Sequence, residues 1–308
     1  MEAVRIMTID EAGLRGEMLF DEPMSRHVSW RAGGKAKRYY IPADLEDLSR
    51  LLASLPEDED VLWLGLGSNT LVRDTGFDGT VIALQGVMNR LQRLDNNRVY
   101  VGAGIAGAKL ARFCAKENLV GAEFFAGIPG LVGGALAMNA GAFGGETWRH
   151  VVSVETIDRK GRIHARNADE YQFGYRSVKG PADEWFTAAI FQFEQGDGAA
   201  ASVEIKQLLA RRAQNQPMGA ASCGSVFINP ENDHAARLIE ASDLKGYRIG
   251  GAVVSEKHAN FILNDNNATA ADIEALIRHV QNTVLEKQGV ELHTEAVSYT
   301  HLTLPTII

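Results

Sequence analysis

The sequence predicts an α+β chain built in more than one unit. Three observations lead there: short apolar runs alternate with helical spacings through residues 43–119, a hairpin and a long strand follow, and helical patterns dominate the remainder. At about 100–200 residues per domain, 308 residues allow two or three domains. In order, Leu45, Leu48, Leu51, Leu52 and Leu55 recur at helical spacing, and VLWLGLGSN reads as a buried strand entering a glycine turn. TVIAL at 80–84 and RVYVGAG at 98–104 read as strands, and AKLARFCAKENL at 108–119 as an amphipathic helix. VVSVETI, the turn Asp158-Arg159-Lys160-Gly161 and RIHA form a hairpin signal, and EWFTAAIFQF at 184–193 adds a long strand. Gly-Asp-Gly-Ala at 196–199 is the expected boundary. Beyond it, 202–213, 234–241 and 270–288 read as helices with short strands between them, a smaller α+β domain without internal repeats.

Composition removes several function classes. Hydrophobic residues at 45% and charged residues at 23% describe an ordinary globular chain rather than a disordered one. With 31 basic against 39 acidic residues, no broad basic surface is available to neutralise a phosphate backbone, so no nucleic-acid partner is expected. Cys114 and Cys223 stand far apart with no Cys/His spacing, which supports neither a disulfide framework nor a metal site and fits a reducing cytoplasm. Glu2, Asp10, Glu11 and Glu17 leave no apolar signal-peptide core, so a cytoplasmic location is expected. Residues 124–145 run uncharged for 22 positions, the length of a membrane span, but seven of them are Gly. At roughly 1 kcal/mol per interior Gly, a lipid-facing helix there is not expected.

Glycine-rich loops carry the first functional signal. Gly102-Ala-Gly104-Ile-Ala-Gly107 follows a strand, opens a helix and has Glu123 about 20 residues on, as a dinucleotide fingerprint would. Glu123, however, runs into Phe124 and Phe125 rather than ending a second strand, so the motif reads as a tight strand-to-helix turn in preference to a dinucleotide site. Gly65-Leu-Gly67-Ser68-Asn69-Thr70 pairs instead with Gly127-Ile128-Pro129-Gly130-Leu-Val-Gly133-Gly134 and Met138-Asn139-Ala140-Gly141. Bare glycines let backbone N–H groups approach phosphate oxygens, and a helix starting near Gly130 would aim its positive end at them. Two such loops suit the pyrophosphate of a dinucleotide cofactor.

GSNTLV at 67–72, GIPGLVGGALAMNAGAFG at 127–144, YQFGYR at 171–176, GSVFINP at 224–230 and VSEKHANFILN at 254–264 resemble, in this order and spacing, the UDP-N-acetylenolpyruvoylglucosamine reductase (UDP-N-acetylmuramate dehydrogenase) family. The resemblance covers roughly residues 25–295. It implies a two-subdomain FAD-binding region of the vanillyl-alcohol-oxidase type over residues 1–196, with a subdomain boundary near 85, and a substrate-binding domain over 202–295. FAD would rest on Gly67, Ser68 and Asn69 and on Gly127, Ile128, Pro129, Gly130, Gly133, Gly134, Asn139, Ala140 and Gly141. The implied reaction uses NADPH and FAD to reduce the enolpyruvyl ether of a UDP-sugar, a step in peptidoglycan precursor synthesis. Charge pushed onto the substrate carboxylate needs a cation, and Arg176 suits this because guanidinium stays protonated and grips a carboxylate with paired donors. The motif assigns proton donation at C2 to Ser225 and pairs Glu295 with Arg176. Tyr175, Arg211, Gln216 and Asn229 lie beside the motifs as expected substrate contacts, in a stretch (206–258) with seven basic against five acidic residues.

The chain also departs from the family pattern. Ala296 stands where Val is expected, and residues 296–308 match nothing in the family; they read as a sequence scar that deprives the final strand of its pairing. An insertion of about 20 residues with a mobile tyrosine, found in one subclass, is absent, which points to the compact subclass. Two other readings stay open on sequence: an FAD oxidase or dehydrogenase of a hydroxy acid or alcohol, and a nucleotide-sugar binding protein without turnover. Oligomeric state is not legible.

Overall fold

The computed structural model describes residues 13–295 and 297–299. Its first unit is a four-stranded sheet in the order Glu17–Pro23, Lys35–Ile41, Phe77–Ala83, Val61–Leu64; the first pair is antiparallel and the others are parallel. Parallel pairing requires a crossover, and helix α1 (Leu45–Ser54) supplies it. Asp44 starts this helix by accepting from Asp47 N at 2.9 Å, and the leucine stripe seen in the sequence buries Leu48, Leu51 and Leu52 against the sheet.

A second, wholly antiparallel sheet follows, ordered Ile163–Asn167, Val151–Asp158, Glu184–Gln192, Arg98–Gly102, Leu91–Arg93. The Asp158 carboxylate holds its hairpin turn by accepting from Lys160 N and Arg162 N at 2.8 and 2.9 Å. Helices α2 (Gly107–Lys116) and α3 (Val132–Ala137) cover this sheet. The uncharged 124–145 segment is thereby broken into a 3-10 turn (Glu123–Gly127), α3 and a short hairpin (Gly141–Ala142 with Gly145–Glu146). No helix among the described residues is long and apolar enough to cross a membrane.

Helix α4 (Gly198–Asn215) departs from expectation. It buries Ala201 and Ile205 in the core of the second sheet rather than in the expected C-terminal domain, and Cys223 is the first residue after it to enter the next core. Nothing in its own sequence names the core it joins; only the partner surface decides that. The last unit combines α5 (Ala235–Ala241), α6 (Ala270–Gln288) and a three-stranded sheet, Arg248–Ile249, Ala252–Val254 and Ile262–Asn264.

This unit is docked firmly onto the first. Trp30 is fully buried within its core and donates Nε1–H to Ile262 O at 2.8 Å, while the Asp74 carboxylate accepts from Ala270 N and Ala271 N at the start of α6. Residues Val297–Tyr299 return to pair in parallel with Thr70–Val72, so the expectation of an unpaired final strand does not hold for them. The other tail positions, 296 and 300–308, lie outside the described residues.

Candidate active site

Arg176 reaches the site from a two-residue turn. Strands Gln172–Gly174 and Ser177–Lys179 pair, and the connection Tyr175-Arg176 places Arg176 at φ +54°, a left-handed conformation that costs an ordinary residue roughly 1–2 kcal/mol. Such a cost at a charged residue persists when its surroundings over-determine it. Asn139 and Trp148 provide those surroundings. Asn139 is buried, donates to Gly174 O at 2.9 Å and accepts from Trp148 N at 3.0 Å, while the Trp148 ring stacks on Phe173. From this turn Arg176 donates Nε–H to Glu295 Oε1 at 2.7 Å and Nη2–H to Gly141 O at 3.1 Å.

Glu295 comes from the far end of the chain. Its backbone N–H is donated to Val226 O at 2.8 Å, and its carbonyl accepts from Asn69 Nδ2 at 2.9 Å, which seats it between the Ser225 loop and the Gly67 loop. Burial pushes the Glu295 carboxyl above its ordinary range, and Arg176 pulls it part of the way back. Arg176, Glu295 and Ser225 line one cavity of about 210 Å³ together with Tyr175, Asn229 and Asn260. His258 also lines it; burial holds its imidazole below the ordinary histidine range, and its Nδ1 is buried with no partner among the described residues. A larger cavity of about 360 Å³ beside Arg248 and Lys257 contains none of the trio, so size does not select the site; chemistry does.

Next to this cavity the glycine loops meet. Ser68 Oγ–H is donated to Pro129 O at 2.8 Å, locking the 67–70 loop against the 127–130 loop. The backbone N–H groups of Gly67, Ser68, Asn69 and Gly130 have no acceptor among the described residues. Gly134 faces open space, where a Cβ would meet nothing within 4 Å. Free N–H donors on two joined loops beside open space fit a pyrophosphate, so the residues present suit FAD. By contrast, a Cβ at Gly104 would run into the Val87 carbonyl, and Glu123 accepts from Gly121 N at 2.8 Å. The Gly102–Gly107 motif is therefore a close-packed turn and not a dinucleotide fingerprint.

The family profile described as UDP-N-acetylenolpyruvoylglucosamine reductase, C-terminal domain, matches residues 216–299, and the FAD binding domain profile matches 36–166. A UDP-N-acetylenolpyruvoylglucosamine reductase of Alkalilimnicola ehrlichii is 56% identical over 280 residues, 91% of this chain and 94% of that one. The chain belongs to the UDP-N-acetylenolpyruvoylglucosamine reductase family. A second relative of the same name, from Legionella pneumophila strain Corby, is 53% identical over 282 residues, 91% of this chain and 92% of its own. The crystal structure of the Thermus caldophilus reductase is similar at a TM-score of 0.78 and 30% identity, covering 93% of this chain and all of that one. An FAD-binding domain followed by the C-terminal domain of this reductase is the architecture that the two profiles and the Thermus structure share with the fold described above.

Within this reductase framework the residues singled out from sequence divide. Arg176, Ser225, Glu295, Tyr175 and Asn229 share the cavity, although Asn229 also accepts from Ala235 N at 3.1 Å and so caps α5. Arg211 is exposed on α4, and Gln216 accepts from Arg212 Nε at 2.8 Å; neither lines the cavity with Ser225. Their proximity in sequence to the motifs did not carry over into space. Asn139 uses its amide on Gly174 and Trp148, and Ala140 turns its carbonyl to Thr147, so both support the Arg176 turn from within the protein. His258 and Asn260 received no role from sequence. A signal was there: two polar side chains inside the otherwise apolar run around HANFIL.

Proposed function

We propose that Arg176, Glu295 and Ser225 act together on the substrate of this reductase. The chain is an FAD-dependent oxidoreductase with NADPH as reductant; it converts UDP-N-acetylglucosamine enolpyruvate to UDP-N-acetylmuramate in peptidoglycan precursor synthesis. The observation that carries the residue assignment is convergence: positions 176, 225 and 295, held by three separate elements, line one cavity beside the glycine loops. Bound FAD would supply the redox chemistry, relaying hydride from NADPH for addition at the vinyl carbon C3.

That addition moves an electron pair toward the substrate carboxylate. Arg176 faces this charge with a guanidinium whose orientation is already set by Glu295 and Gly141, so little reorganisation remains. Glu295 fixes the guanidinium and keeps the local charge near neutral until the anionic substrate arrives. Ser225 Oγ delivers the proton to C2, which completes addition of hydride and proton across the double bond. A serine hydroxyl is a weak acid, so it serves only where the adjacent carbanion drives the transfer. Asn229, Tyr175 and His258 are the candidate contacts for the nucleotide sugar because they line the same cavity.

The substrate is a small UDP-sugar. A cytoplasmic setting agrees with two free, buried cysteines and with NADPH as donor. The test is turnover of the enolpyruvyl nucleotide sugar, followed by NADPH absorbance and by a product mass gain of two hydrogens. A yellow protein bleached by NADPH but not restored by this substrate would overturn the reading.

A further inference from the structure

Ser225 poses a positioning problem. Its hydroxyl makes no hydrogen bond among the described residues, and between it and the core-seated Cys223 stands Gly224 at φ +73° with nothing near its Cβ position, so neither its own side chain nor Gly224 fixes it. Its place depends on the backbone that follows, residues 226–228.

That backbone is gripped from two sides. On one side, Glu295 N–H is donated to Val226 O at 2.8 Å and Ile228 N–H to His293 O at 2.9 Å. On the other side stands Asn260 alone. Its carbonyl accepts from Val226 N at 2.9 Å, its Oδ1 accepts from Phe227 N at 2.9 Å, and its Nδ2 donates to Phe227 O at 2.8 Å. A side-chain amide that accepts from and donates to one residue's backbone reproduces a β-ladder rung where no strand is present. Asn260 is 4% exposed, so water does not compete for these bonds. Asn260 and Ser225 border the same cavity, and the segment that Asn260 clamps is the one to which Glu295 is attached.

We infer that Asn260 is a positioning residue that sets Ser225 and Glu295 in register through the backbone of Val226 and Phe227. This rests on the reading of Ser225 as proton donor. A misplacement of about 1 Å at a reacting group costs on the order of 10² in rate, which is the size of effect expected when the clamp is broken.

The test uses the FAD-loaded full chain and four proteins: wild type, Asn260→Asp, Ser225→Ala and the double variant. Asp keeps the acceptor for Phe227 N–H but turns an anion toward Phe227 O, which breaks half of the clamp at constant size. Flavin reduction by NADPH should stay within about twofold of wild type, while reoxidation by the enolpyruvyl nucleotide sugar falls about 10²-fold. The double variant should lose less than the two single losses combined, because part of what Asn260 does passes through Ser225. Lowering the pH should recover part of the loss, since a protonated Asp again donates to Phe227 O. Independently of turnover, amide hydrogen exchange over 225–228 should speed up. Equal loss in both half-reactions, additive losses in the double variant, or unchanged exchange would each overturn the proposal while leaving Ser225 in its role. Ser225→Ala with wild-type reoxidation would overturn the proton-donor reading, and this inference with it. Should Asn260→Asp retain no FAD, Asn260→Ser, which keeps one hydroxyl for Phe227, is read by the same criteria.

Discussion

The side-chain amide of Asn69 donates a 2.9 Å hydrogen bond to the main-chain carbonyl of Glu295, 226 positions along the chain. The loop that offers free N–H groups to a pyrophosphate is thereby tied to the carboxylate that orients Arg176. Asn69 Nδ2 also rests 3.1 Å from Met138 Sδ, which brings the second glycine loop into the same junction.

Removing that tie should loosen both functions. Asn69→Ala loses a neutral, part-buried hydrogen bond worth about 1 kcal/mol and leaves the Glu295 carbonyl without its partner. We expect a lower melting temperature, weaker FAD retention on gel filtration and a higher KM for the nucleotide sugar. Wild-type flavin retention would show that the backbone N–H groups alone hold the cofactor.

Arg176 should show itself in the pH dependence of stability. Burial raises the Glu295 carboxyl above its ordinary value, and Arg176 is what opposes that rise. Arg176→Ala raises it further, and a carboxyl whose folded pKa exceeds its unfolded one contributes stability below the unfolded value that is lost as pH climbs through the folded value. The deficit against wild type should therefore reach about 3 kcal/mol near pH 8 and shrink toward pH 5. Denaturant melts at both pH values decide it; a deficit independent of pH would mean that Glu295 does not remain buried once Arg176 is gone.

Arg176→Lys should separate charge from geometry. Lysine keeps the cation but lacks the fork that serves Glu295 and Gly141 at once. Reoxidation of reduced flavin by substrate should fall by at least about tenfold with NADPH-driven reduction little changed. Equal losses in stopped-flow traces of the two half-reactions would remove Arg176 from the substrate carboxylate.

Ser225→Ala should leave FAD binding and NADPH oxidation nearly intact and slow reoxidation by substrate by about 10²–10⁴. Ser225→Cys should recover part of that, because a thiol also donates a proton. Two variants that both turn over at wild-type rate would reduce Ser225 to a loop residue.

FAD should be held without a covalent link. No His or Cys lies within 125–145, and although Cys223 Sγ sits 3.5 Å from the Gly67 and Thr70 carbonyls, burial pushes its thiol up to about 12. A buried, protonated thiol is a poor nucleophile. Acid precipitation should leave the yellow colour in the supernatant; colour in the pellet would contradict this.

Much of the fold was legible in short-range patterns. The leucine spacing of α1, the Asp158 turn and the long strand Glu184–Gln192 follow from periodicity and turn chemistry acting within a few residues. The motifs marked Arg176, Ser225 and Glu295 as candidates, and it took the fold to bring the three to one cavity, since spacing says nothing about their meeting. The tertiary structure decided the rest. Helix α4 carries no local mark of the sheet it joins, and only the surface beside Ala201 and Ile205 assigns it. Arg211 and Arg212 are neighbours in sequence, yet helical geometry turns one to solvent and the other to Gln216. Asn139 and Asn260 are single polar letters in apolar text; their work consists of bonds to Gly174 and Phe227, 35 and 33 positions away. Such bonds depend on which backbone groups the fold leaves unpaired in a buried place, and that accounting exists only once the chain has closed on itself.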